Sequence, residues 1–244
     1  MNRSWIAIDG PSGSGKSTAA RELARALDWC YLDTGATYRA ATLAALDAGV
    51  PLADVEPLAP DSTPASRAAC QRAADLVRTI RIESGLDPDH PTISLDGRQV
   101  DKEIRSHRVT QWVSALASIP AVRSQLVGAQ RAVAEAHLEP GIVVEGRDIA
   151  AVVLPEAALQ VYLTARPDAR ARRRVADPAA EAAGGLANAE RDLARRDQVD
   201  QTRADTPAGV APGAIVVDSS ELGIEEVTEV LLSLCRQAGI ATPE

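Results

Sequence analysis

Three observations predict an α/β fold of three layers around a five-stranded parallel sheet. Five short apolar runs, at 4–9, 30–32, 142–144, 159–163 and 214–217, alternate with stretches of helical periodicity. The first run passes directly into a glycine-rich loop and then a helix. Between the second and third runs, the stretch 77–104 has a different grain and predicts a small antiparallel insertion. No internal repeat divides the 244 residues, so one domain with inserted parts over 1–244 is expected.

The elements follow in order. Residues 4–9 predict a buried strand, and 16–27 a helix with Leu23 and Leu27 on one face. A short strand at 30–32 ends at Asp33-Thr34-Gly35, a sequence able to cap a helix over 36–48. Residues 49–64, rich in Pro, Ala and Asp, form a connector to a helix at 65–76. The runs 76–82, 91–95 and 98–100 predict strands of the insertion, and Asp96-Gly97 predicts a hairpin between the last two. Helices are expected at 105–117 and 121–137, with Pro120 at the start of the second. An amphipathic helix over 221–236 closes the chain.

Composition narrows the function. The net charge is −8, and no basic surface interleaved with aromatics is evident, which argues against a general nucleic-acid binder. Arginines are nonetheless clustered at 166–174 and 191–203, which suggests handling of small anions; solvated helix faces are the alternative. Phe is absent, so the core must be built from Leu, Val, Ile and Ala. Cys30, Cys70 and Cys235 have neither zinc nor disulfide spacing and are expected as reduced thiols. The N-terminus lacks signal-peptide character and no run is long enough to span a membrane, which predicts a cytoplasmic protein with no membrane partner.

The loop carries the chemistry. Gly10-Pro11-Ser12-Gly13-Ser14-Gly15-Lys16-Ser17, followed by Thr18, fits Gly-x-x-x-x-Gly-Lys-[Ser/Thr] in the strand–loop–helix setting the motif requires. Glycines let the backbone approach phosphates, N–H groups point inward, and the helix adds its positive end. Lys16 reaches the β- and γ-phosphates of a nucleoside triphosphate, and Ser17 supplies a Mg²⁺ ligand. No Asn-Lys-x-Asp run specifies guanine, so a small-molecule kinase is favoured over a GTPase.

Several runs together resemble the bacterial cytidylate kinases of the nucleoside monophosphate kinase superfamily. They are Ile8–Thr18, Leu32-Asp33-Thr34-Gly35-Ala36-Thr37-Tyr38-Arg39, Asp101-Lys102-Glu103-Ile104-Arg105, Val144-Glu145-Gly146-Arg147-Asp148-Ile149, and Arg195-Arg196-Asp197 through Arg203. The resemblance implies a P-loop kinase with a lid at 166–203. It also implies a monophosphate-binding region at 34–139, within which the insertion spans about 62–104. It implies transfer from ATP to CMP or dCMP with Mg²⁺. Thr34, Tyr38, Arg39, Ser114, Arg123, Arg147, Asp148, Arg196, Asp200 and Arg203 fall on the acceptor side. Lys16, Arg147, Arg196 and Arg203 are the expected catalytic groups, while Arg170 and Arg173 join the loop in holding ATP. Glu145 stands where many relatives carry Asp.

Physical logic agrees with this division. Forked arginine donors neutralise crowded phosphates, and the acceptor oxygen is already anionic, so no strong general base is required. Asp33 and Glu145 either hold water in a Mg²⁺ shell or are paired carboxylates at strand ends. Asp148 can accept from the cytosine amino group, where uracil presents a carbonyl. Trp112 either covers the base or fills the core of the insertion. Gly184-Gly185 gives the lid region freedom. Two other functions remain open: a kinase for UMP, AMP or shikimate, and a nucleotide-dependent binding protein without phosphotransfer. A monomer is the default reading.

Overall fold

The computed structural model describes residues 4–55, 62–176, 190–191, 193–194 and 209–242. Five parallel strands form the central sheet: β1 (Trp5–Asp9), β2 (Cys30–Asp33), β6 (Ile142–Gly146), β7 (Leu159–Thr164) and β8 (Ile215–Asp218). Their order is β2-β6-β1-β7-β8, so β1 is central and its C-terminal end opens beside those of β6 and β7. Ligands of open α/β sheets bind outside such carboxyl ends, where the strand order reverses.

Alternation along the buried strands builds the two flanking layers. Ile6, Ile8, Val143, Val161 and Leu163 face α1 (Lys16–Leu27) and α7 (Ile224–Gln237), whose Leu23, Leu27, Val227 and Leu231 complete that core. Trp5, Ala7, Leu32, Ile142 and Val144 face the other way. They pack on Val127 and Ala134 of α5 (Pro120–Ala136) and on a π-helical turn at Ile149–Val153. Each fully buried Ile or Leu side chain contributes about 1.5–3 kcal/mol. Trp5 also donates its indole N–H to Ala134 O at 2.9 Å, which ties β1 to α5.

A second core lies under α2 (Thr34–Asp47), α3 (Pro64–Thr79) and α4 (His107–Ala117). A three-stranded antiparallel sheet, β3 (Ile82–Ser84), β4 (Ile93–Leu95) and β5 (Arg98–Gln99), packs against α2. The hairpin between β4 and β5 turns at Asp96 and Gly97, whose φ values of 51° and 79° are the two positive values a tight hairpin turn needs. Trp112 packs in this second core with α3 and α5.

Helix starts obey local chemistry. Asp33 accepts the Ala36 N–H at 3.0 Å, so α2 begins at Thr34, two residues earlier than the sequence periodicity places it. Pro120 opens α5, where its missing N–H costs nothing. One element differs in kind. The sequence reading starts the insertion with a strand at 76–82, whereas α3 continues to Thr79 and β3 begins only at Ile82. Cys70, Ala73, Ala74 and Val77 form a buried helical face, and that packing overrides the β-branched residues nearby. The π-helical turn at Ile149–Val153 is absent from the sequence reading.

Candidate active site

A cleft of about 920 Å³ opens where β1, β2 and β6 end, and it extends beneath the antiparallel insertion. The loop between β1 and α1 forms one wall, from Ser12 through Thr18. Gly15 immediately precedes α1 with φ of 88°, a conformation that glycine adopts without strain. This turn aims the start of α1 and Lys16 into the cleft. Gly10 and Pro11 begin the loop behind that wall.

Lys16 Nζ lies 3.8 Å from Glu145 Oε2. Glu145, next to the last residue of β6, is buried and also accepts from the Tyr31 hydroxyl at 3.1 Å. Burial raises the Glu145 pKa, and the nearby Asp33 charge raises it further. Lys16 and the hydroxyls of Ser17 and Tyr31 oppose that rise. Thr34 fixes the strand end by donating to Glu145 O at 2.8 Å. The result is a group of hard oxygen atoms, from Asp33, Glu145 and Ser17, in the cleft lining, with Lys16 beside Glu145. Two carboxylates beside a hydroxyl fit a hydrated Mg²⁺, because each additional positive charge relieves their mutual repulsion. Among the described residues, no group of three or more His, Cys, Asp or Glu side chains is arranged to ligate a metal directly.

Four arginines give the cleft a cationic lining. Arg39 donates to Ile104 O at 3.1 Å and to Thr110 Oγ1 at 2.9 Å. Burial lowers its pKa to about 10; the charges of Arg105, Arg174 and Arg147 lower it further, while Asp33 opposes them. All four arginines line the same cleft. A group of guanidinium charges that repel one another in a half-enclosed cleft is an arrangement made for a polyanion.

Deeper in, Arg123 Nη2 lies 2.5 Å from Asp148 Oδ2, and both side chains are buried. Arg123 comes from α5 and Asp148 from the turn after β6. Ser114 and Tyr38 line the cleft near them, and Tyr38 also packs on the second core. Thr34 and Asp33 complete the floor.

Arg170 and Arg173 lie on α6 (Pro167–Ala176) behind the glycine-rich loop. Arg173 donates to Ser14 O at 3.0 Å and to Ser219 O and Oγ, joining the loop to the segment after β8. Arg170 donates to Ser12 O at 3.3 Å, and it is buried. Both brace the loop from outside, and Arg173 also reaches the cleft lining. Arg196, Asp200 and Arg203, with most of the 166–203 region, lie outside the described residues.

Sequence reasoning left out three groups that the fold brings to this site. Arg105 sits within a quoted motif, and Arg174 ends an arginine cluster, so both carried a signal. Tyr31 carried none, because its bond to Glu145 spans 114 positions.

A model of the family described as cytidylate kinase matches residues 6–237. The cytidylate kinase of Rhodococcus opacus is 46% identical over 238 residues, covering 96% of each chain. That of Rhodococcus jostii is 47% identical over 229 residues, covering 93% of this chain and 92% of the relative. That of Mycolicibacterium paratuberculosis is 45% identical over 237 residues, covering 95% of each.

Proposed function

The chain belongs to the cytidylate kinase family, and we propose that its cleft moves the γ-phosphoryl group of ATP to CMP or dCMP, giving ADP and CDP or dCDP. The observation that carries the reading is the convergence of Arg39, Arg105, Arg147 and Arg174 with Lys16 in one cleft.

In this reading, the loop of residues 10–18 cradles the ATP phosphates with its backbone N–H groups, and Lys16 bridges the β- and γ-phosphates. Arg170 and Arg173 hold that loop in shape. The region 34–139 takes the acceptor: Thr34, Tyr38 and Arg39 from its first helix, Ser114 and Arg123 from the later ones. Arg147 clamps phosphate, and Asp148 accepts from the cytosine amino group while Arg123 holds its other oxygen. The resemblance to the family assigns 166–203 to the lid, Arg196 to the transferring phosphate, Asp200 to the sugar and Arg203 to the α-phosphate or cytosine region; these three residues lie outside the described residues.

An acceptor phosphate oxygen attacks the γ-phosphorus in line. The bond to the β-phosphate oxygen breaks, and ADP leaves with that electron pair. No proton needs to be removed from the nucleophile near neutral pH. The residues therefore contribute positioning and charge stabilisation rather than base catalysis. Mg²⁺, held by Ser17 and through water by Asp33 and Glu145, would neutralise charge on the β- and γ-oxygens.

The enzyme acts as a cytoplasmic monomer on free nucleotides, without nucleic-acid or membrane partners. The net charge of −8 argues against a general nucleic-acid partner. The test is product identification. With γ-labelled ATP, Mg²⁺ and CMP, the label should be recovered in CDP. Label recovered only in inorganic phosphate would overturn the reading.

A further inference from the structure

Asp9 is the last residue of β1, and its carboxylate is buried, with 2% of the residue exposed. Oδ1 accepts the Ile149 N–H at 2.7 Å, and Oδ2 accepts the Ala150 N–H at 2.9 Å. The backbone of Asp9 is paired in register with Gly146 of β6. Only Arg147 and Asp148 lie between Gly146 and Ile149. One residue thus fixes both ends of the two-residue segment that faces the acceptor, its main chain through the sheet and its side chain through two amides.

We propose that Asp9 is a positioning residue for the acceptor nucleotide, holding Arg147 and Asp148 in place before the nucleotide arrives. This rests on the reading of Asp148 as the group that recognises cytosine. Asp9 directly precedes Gly10, but both of its carboxylate bonds lead to the segment after β6 rather than to the glycine-rich loop.

The choice of carboxylate has a physical reason. Two successive backbone amides are both donors, and a carboxylate offers two acceptor oxygens to meet them. Asparagine would turn a donor toward one of the amides and lose that bond. A buried charge is otherwise costly, and a site needing only space-filling would hold an apolar residue. Burial indeed raises the Asp9 pKa to about 6, with the Asp148 charge adding to the rise and the two amides and Lys16 opposing it. The carboxylate is kept despite that penalty.

Steady-state kinetics of Asp9→Asn, Asp148→Ala and the double variant test the proposal, with CMP and UMP as acceptors. Asp9→Asn should raise KM for CMP about tenfold, the effect of one lost charge-assisted hydrogen bond. KM for ATP should stay within about twofold, and the preference for CMP over UMP should fall about tenfold with it. In the Asp148→Ala background, Asp9→Asn should add less than about twofold, because both act through one group. Equal rises in both KM values, an unchanged preference, or full additivity would overturn the proposal. If Asp148→Ala itself leaves the CMP preference intact, the reading of Asp148 falls, and this inference falls with it. Should Asp9→Asn not fold, hydrogen exchange of the wild-type enzyme decides. Slow exchange at the Ile149 and Ala150 amides without CMP, unchanged by CMP, supports a preset clamp. Fast exchange that CMP slows would overturn it.

Discussion

Arg123 and Asp148, from α5 and from the turn after β6, meet in a buried ion pair with Nη2 2.5 Å from Oδ2. A buried pair is worth little net stability against an apolar replacement, but removal of one partner strands the other charge. In the proposed reading its value lies in orientation: the pair holds one carboxylate oxygen of Asp148 and leaves the other to meet the acceptor base.

Asp148→Ala should therefore lower kcat/KM for CMP by about 10²-fold, with a smaller loss for UMP. The stranded Arg123 should also lower unfolding stability by several kcal/mol, on the order of 3–5. Parallel kinetics with the two acceptors and urea denaturation check both parts.

Lys16→Met removes the cation between the loop and Glu145. The expected loss in kcat is about 10²–10³-fold, as for removal of one group that stabilises developing charge. CMP binding, measured without ATP, should change little, since the arginines proposed to hold the acceptor are untouched.

Tyr31→Phe deletes the hydroxyl that donates to Glu145 at 3.1 Å. The stability loss should be about 1–3 kcal/mol, because a buried acceptor is left with one donor fewer. The Mg²⁺ concentration giving half-maximal rate should shift, whereas KM for CMP should not. A titration of rate against free Mg²⁺ reads this out.

Asp9 gives a pH signature. Its folded pKa of about 6 stands above the ordinary value of 3.8, so the folded state holds the proton more tightly than the unfolded one. That contribution to stability is fully present below the unfolded value and is lost as pH rises through about 6. Between pH 5 and 7.5, the ligand-free wild type should lose about 1–2 kcal/mol relative to Asp9→Asn. Urea denaturation of both proteins at the two pH values measures the difference.

The parts of this molecule legible in its sequence are those set by neighbours along the chain. The glycine loop needs only its own residues and the strand and helix beside it. Asp33 caps α2 over three positions, and Asp96-Gly97 turns a hairpin over two. What escaped depends on distant partners. The reach of α3 to Thr79 is set by a core shared with α5, and Val77, which has high strand propensity, gives no local hint of it. The Asp9 bonds to Ile149 and Ala150 cross 140 and 141 positions, and the carboxylate belongs to a strand that reads locally as buried core. Arg105 and Arg174 join the cationic lining of the cleft only once the fold sets their charges near Arg39.

The most direct measurement is ADP release in a coupled assay with ATP and Mg²⁺, offering CMP, dCMP, UMP, AMP and shikimate in parallel. Turnover should be strongest with CMP or dCMP, and Asp148→Ala should abolish that preference. Faster turnover with UMP, AMP or shikimate, or no acceptor-dependent turnover despite tight ATP binding, would contradict the account.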